Sequence, residues 1–265
     1  MLPVGLRLSK PLPPSEVAKF IQHCLASYPN EACAYVVMVD GQPVVVPTEN
    51  VAEVPTHEAT PALVLDDHEY VMFLHSHTQL DSEGLIDPRS PSKQDMEAQL
   101  LSGREWGLAY CDGSQCTELL TWGNPHNRPP LLGREFILNI QDCYEIARDW
   151  HFQDSGIELP AVPRSHDWIH KGEDLIMETF STGSFQAIAA SINNNCQPGD
   201  IVLMKTPMSP VVNHVAVYVG NGEVLTHHAN QLSVIKKISA FEGKAIKYVI
   251  RPVSSNHSAA RRVAR

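Results

Sequence analysis

The sequence predicts an α+β / α/β protein of two domains, and three observations carry that reading. Segments with helical apolar spacing alternate with strand-length apolar runs along the chain. The 265 residues suit one large domain or two compact ones, taking ~150 residues per domain as a guide. Residues 122–134 crowd glycine, asparagine and proline densely enough to deny both helix and central strand, so they read as a linker. The expected boundaries are a first domain over 1–121, a linker over 122–134, a second domain over 135–253, and a disordered basic tail over 254–265.

In the first domain, Ser15 is expected to cap a helix whose Val17, Phe20, Ile21, Cys24 and Leu25 share one face. A strand over 35–39, an Asp40-Gly41 turn and a strand over 43–46 read as a hairpin. The apolar run 71–74 ends directly at His75. A second helix begins near Ser92 and runs through Leu101, and strands over 107–111 and 118–122 close the domain. The second domain opens with a helix over 142–152 that carries Tyr144, Ile146, Ala147 and Trp150. Helices over 173–180 and 185–192 follow. Then come strands over 201–205, 213–220, 223–228 and 247–252, with a turn at Gly220-Asn221-Gly222. Helices first and antiparallel strands afterwards is an α+β pattern.

Composition removes several function classes. At 43% hydrophobic and 19% charged, the chain is neither a disordered tether nor a coiled coil. Lysine and arginine number 20 against 30 acidic residues, for a net charge of −10. Binding nucleic acid through its phosphates calls for the opposite sign, and anionic membrane surfaces are poor partners for the same reason. The N-terminal residues do not read as a signal peptide. The longest apolar runs, 35–39 and 215–219, fall far short of the ~20 residues that cross a bilayer. Six cysteines lack paired spacing, and the one close pair, Cys111 and Cys116, matches neither a zinc knuckle nor a disulfide signature, so all are expected reduced. Thirteen histidines stand out, because imidazole is both a common metal ligand and a common acid–base group.

His75-Ser76-His77 lies where a strand ends. Residues two apart on an extended segment point the same way, so both imidazoles can grip one ion. Ser92 and Asp95 follow, one helical turn apart, and Glu31 precedes; Ser-x-x-Asp is equally a helix-capping signature. Two histidines and a carboxylate leave a fourth zinc position for water, as in catalytic sites. Together these residues resemble the JAMM metalloprotease motif: a glutamate, then His-Ser/Thr-His, then Ser-x-x-Asp. The resemblance implies a mixed sheet with helices, zinc on His75, His77 and Asp95, Glu31 as the group that activates water, and Ser92 at the oxyanion. Here an insertion with Asp81, Glu83 and Asp87 lengthens the gap after His77, Thr78 replaces a common proline, and Ala32-Cys33-Ala34 stands where glycine is common.

In the second domain Cys143 follows Asp142 at a helix start, where the helix dipole and unpaired N–H groups favour a thiolate. Cys24, Cys33, Cys111 and Cys196 suit burial as small apolar residues better. His214 opens an apolar strand, and the next strand brings His227 and His228. Alternation points those two to opposite faces, so one of them can orient His214. Asp142-Cys143, the 156–160 segment Gly-Ile-Glu-Leu-Pro, Gln197-Pro198-Gly199-Asp200 and Asn213-His214 resemble the NlpC family of cysteine peptidases. That resemblance implies a papain-related α+β domain with Cys143 as nucleophile, His214 as base and the third residue falling best on His227, with His228 the alternative. It also implies peptidoglycan stem peptides as substrate, cut between D-glutamate and diaminopimelate.

A JAMM-like domain followed by an NlpC-like domain resembles the tail-tip assembly proteins of lambda-like phages. This implies phage tail-tip proteins as partners, and residence in the host cytoplasm during assembly and then at the virion tail tip. The alternatives are a tail-assembly structural protein with non-catalytic or occluded sites, and a bacterial cell-wall remodelling peptidase.

Overall fold

Asp40 and Gly41 both adopt positive φ, 50° and 75°, making the two-residue turn between β1 (Cys33–Val39) and β2 (Gln42–Thr48). Both belong to the first of two units in a computed structural model that describes residues 7–53, 70–78, 87–181 and 185–253. That unit is Met1–Pro129 with Ile137–Ile140; the second is Pro130–Phe136 with Gln141–Arg265. Asp81, Glu83 and the basic tail lie outside the described residues.

In the first unit α1 (Pro14–Ser27) precedes the hairpin, and β3 (Tyr70–His77), α2 (Lys93–Ser102), β4 (Glu105–Tyr110) and β5 (Leu120–Trp122) follow it. The sheet order is β2-β1-β3-β4-β5, with β3 and β4 parallel and α2 in the crossover between them. Alternation divides the side chains. Ala34, Val36, Met72 and Leu74 pack with Phe20 and Cys24 of α1, while Cys33 and Phe73 pack with Met96 of α2 and with Trp106 and Trp122. The helix α1 starts one residue before the expected cap: Pro13 is the N-cap and Pro14 sits at N1, where a missing N–H forfeits no helical bond.

The second unit holds α3 (Cys143–Ser155), α4 (Leu175–Phe180), β6 (Phe185–Ala189), β7 (Ile201–Met204), β8 (His214–Gly220), β9 (Glu223–Thr226), β10 (Val234–Lys237), α5 (Ala240–Ala245) and β11 (Ile246–Pro252). Its sheet runs β10-β9-β8-β7-β11-β6. Val215 and Val217 of β8 share a core with Cys143, Ile146 and Ala147 of α3, and Ala216 and Tyr218 share another with Val224 and Ile246.

One expectation is corrected, and one gains detail. The segment 185–192, expected as a helix, supplies β6 instead. Its alanines favour helix, but backbone pairing with β11 at the sheet edge overrides that weak preference. The boundary between the units, at Pro129 and Pro130, falls inside the expected linker 122–134, whose ends are packed. Trp122 completes β5, and buried Asn124 donates Nδ2 to Leu8 O and to Glu105 Oε2, each at 2.9 Å. Buried Arg134 belongs to the second unit, where it pairs with Asp149 at 2.6 Å.

Candidate functional site

The first constellation forms on one face of the first sheet. His75 and His77 project from the end of β3 toward α2, whose third residue is Asp95. Asp95 Oδ2 stands 3.8 Å from His75 Nε2 and 3.4 Å from His77 Nε2, and one ligand atom from each residue fits within 4.8 Å of the others. His77 Nδ1 faces Pro88 O at 3.1 Å, a contact that fixes the tautomer and leaves Nε2 to the cluster. His75 is fully buried among Phe73, Trp106 and Trp122. Burial pushes the Asp95 carboxyl up, but the bonds to His75 and His77 outweigh it and hold the group well below the usual carboxylate range.

Ser92 realises the capping signature. Its Oγ accepts from Asp95 N at 3.1 Å, and Asp95 Oδ2 accepts from Ser92 N at 2.6 Å. The cap aims the carboxylate, while the Ser92 hydroxyl keeps its own proton to donate. Glu31 is carried in by register. Cys33 pairs with His75, and Ala32 N donates to Ser76 Oγ at 2.8 Å while Ser76 N donates to Ala32 O at 3.0 Å. Glu31, next before Ala32, is buried, and its backbone O accepts from Asn50 Nδ2 at 2.9 Å. Two imidazole nitrogens and a carboxylate oxygen converging at this spacing fit a zinc ion by donor type and number.

In the second unit Cys143 is the first residue of α3. The Asp142 carboxylate caps the helix, accepting from Tyr144 N at 2.9 Å and Glu145 N at 3.0 Å, and Arg164 Nη2 donates to it at 2.6 Å. The thiol shares a core with Val215, next in sequence to His214. Burial, then the Asp142 charge, pushes Cys143 up to about 12, against the pull of Arg164 and the Val215 N–H. It is 9% exposed and packs in one core with Val211 and Val212. His214 Nε2 meets Thr226 Oγ1 at 2.8 Å, and its ring stacks on His228 with centroids 4.2 Å apart. Burial, and then His228, hold His214 down at about 3.

Comparison with known proteins decides the family. The NlpC/P60 family model matches residues 121–256, just over half of the chain. The chain belongs to the NlpC/P60 family. Residues 13–111 match the model for prokaryotic homologs of the JAB domain, so a JAB-type domain precedes the NlpC/P60 domain. Tail tip assembly protein K of Escherichia phage lambda is 39% identical over 107 residues, 40% of this chain and 50% of that protein. The chain thus matches half the length of that relative. Tail tip assembly protein K of Escherichia phage N15 is 24% identical over 213 residues, 78% of this chain and 81% of that protein. Among solved structures, the NlpC/p60 domain of the peptidoglycan hydrolase SagA is 16% identical, with 45% of this chain and 88% of that chain covered and a TM-score of 0.30.

Within the NlpC/P60 unit Thr226 and His228, the alternative to His227, lie against His214. His227 is fully buried, its Nε2 faces Gln231 O at 3.1 Å, and its ring meets Phe136. The cause is a bulge. Gly220 pairs with Glu223, but Tyr218 pairs with Val224 and Ala216 with Thr226, so the register shifts by one residue within β8. A one-residue slip exchanges the faces, and Thr226 and His228 replace His227 on the side of His214. Thr226 went unread in the sequence because its only signal was this register. Among the described residues no helix is long and apolar enough to cross a membrane.

Proposed function

We propose that the NlpC/P60 unit is a cysteine endopeptidase of peptidoglycan stem peptides, cutting between D-glutamate and diaminopimelate, and that the JAB unit is a zinc-dependent (iso)peptidase. The carrying observation is Cys143 at the first turn of α3, buried in one core with Val215, the residue after His214. With Nε2–H donated to Thr226 Oγ1, His214 Nδ1 is left to take the thiol proton as sulfur attacks the carbonyl, and later to pass it to the leaving amine. Thr226 and the stacked His228 orient the ring. In the JAB unit His75, His77 and Asp95 would hold zinc, Glu31 would take a proton from water, and Ser92 would donate to the oxyanion. When bound, zinc supplies Lewis-acid polarisation and a water of lowered pKa.

The relatives named as tail tip assembly proteins support a place at a phage tail tip with tail-tip proteins as partners; assembly in the host cytoplasm and action on the wall complete the proposal. A second reading, a tail-assembly protein with occluded sites, rests on the burial of Cys143 and on a thiol and imidazole both held neutral. Mass spectrometry of defined muropeptides separates the two. Cleavage at D-glutamate–diaminopimelate that disappears in Cys143→Ala supports the peptidase. Intact muropeptides from a folded chain, judged by circular dichroism, support the occluded reading.

A further inference from the structure

Cys111 and Cys116 stand opposite each other across a tight turn that follows β4, as an isolated antiparallel pair. The hydrogen bonds Thr117 N to Tyr110 O, 2.8 Å, and Asp112 N to Gln115 O, 3.1 Å, flank the pair without joining its two members. That pattern marks a non-hydrogen-bonded cross-strand position, where Cα atoms lie about 4.5 Å apart and side chains leave the same face. A disulfide needs a Cα separation of about 4.4–6.8 Å, so backbone geometry already suits the bond. The turn is also held in place: Asp112 Oδ1 accepts from Ser114 N, Ser114 Oγ and Gln115 N at 2.7–2.8 Å, and Gly113 takes a φ of 88°.

A third thiol stands close by. Cys116 packs against the core that holds Cys24 and Cys111, and its Sγ donates to Ile21 O at 3.9 Å. Cys24 and Cys111 are fully buried, whereas Cys116 is partly exposed, so it is the sulfur that an external reagent reaches first. Cys111 N donates to His77 O at 2.8 Å, so whatever stiffens the turn also holds the end of β3.

We propose that Cys111 and Cys116 are a reversible disulfide site, oxidised by exchange with a small-molecule disulfide that enters at Cys116. The Cys116 thiolate attacks one sulfur of the oxidant and releases the first thiolate. The Cys111 thiolate then attacks Cys116 Sγ in the mixed disulfide and releases the second. Two protein thiols lose two protons and two electrons, and the oxidant leaves as two thiols. Burial and the neighbouring Cys111 push Cys116 up to about 12, so the first step is slow at neutral pH and quickens as the pH rises.

The test treats the full chain with oxidised glutathione at mildly alkaline pH, alkylates free thiols in denaturant, and maps peptides without reduction. No lysine or arginine lies between Arg104 and Arg128, so one tryptic peptide carries both cysteines. The expected product is that peptide lighter by two hydrogens and bearing no alkyl group, restored to double alkylation by dithiothreitol. Cys116→Ser should leave Cys111 fully alkylated under the same oxidation. Full alkylation of both cysteines in the parent overturns the proposal. So does Cys116 found joined to Cys24, or carrying glutathione alone.

Discussion

His214 Nε2 and Thr226 Oγ1 lie 2.8 Å apart, and that contact exists because β8 and β9 slip by one residue between Tyr218 and Gly220. Threonine can both accept from the ring and donate elsewhere, which suits a group that must hold an imidazole through a change of charge. Removing the hydroxyl in Thr226→Val should therefore lower kcat by about 10–100-fold. That range corresponds to a hydrogen bond to a charged group, about 1.5–3 kcal/mol. Thr226→Ser should recover most of it. An unchanged kcat in Thr226→Val, measured on muropeptides, would remove Thr226 from the relay.

Cys143 and His214 are each held neutral by burial, the thiol up at about 12 and the imidazole down at about 3. Neither group carries a charge near neutral pH, so no ion pair is preformed. Alkylation of Cys143 by iodoacetamide should then be slow at pH 7 and keep rising through alkaline pH, because the thiolate is the reactive form. A rate that plateaus below pH 6, followed by peptide mapping, would show a thiolate already formed. Cys143→Ala loses a buried core atom and not a surface one, so its fold needs checking beside its activity.

Asp95 serves twice, as the closing half of a capping box and as a candidate metal ligand. Ser92→Ala and Asp95→Asn separate the two roles. Ser92→Ala should cost roughly 1 kcal/mol of stability by loss of the cap while zinc content, read by elemental analysis, stays at one per chain. Asp95→Asn should lose zinc, and so should His77→Ala. Full zinc retention in both Asp95→Asn and His77→Ala would discard this ligand set.

Acid should weaken the NlpC/P60 unit. Burial holds His214 at about 3 and His151 at about 4, and also lowers His227. In the unfolded chain each protonates near its ordinary ~6.5. As pH falls through the window from ~6.5 towards those folded values, the unfolded state binds more protons and stability drops; above the window the contribution is complete. At pH 5, His214 and His151 should each remove about 2 kcal/mol relative to pH 7.5. Urea unfolding followed by tryptophan fluorescence reads this as a lower midpoint at pH 5, and an unmoved midpoint would contradict the buried neutral histidines.

Arg164 and Asp142 form a pair 2.6 Å apart, each side chain 2% exposed, at the turn that presents Cys143. Arg164→Met takes away the guanidinium and leaves the Asp142 carboxylate in the interior, at a cost of about 3–5 kcal/mol. The same unfolding measurement checks it, and a change under 1 kcal/mol would mean that the pair contributes little.

By itself the sequence determined what depends on near neighbours. The two-residue spacing of His75 and His77 on a strand, the three-residue spacing of Ser92 and Asp95 around a helix start, the Asp40-Gly41 turn, and Asp142-Cys143 at a helix N-terminus all follow from local backbone periodicity. Only the tertiary structure decided the rest. Which residue meets His214 turned on one bulge, and a single-residue slip reverses every face beyond it. Whether 185–192 became helix or strand turned on a free edge of β11, and the fate of the proline-rich segment turned on the buried anchors Asn124 and Arg134. Cys111 and Cys116 became neighbours because a turn folded them across from each other. Periodicity is written in adjacent residues, whereas register and edge pairing are settled by packing energies between segments far apart in the chain.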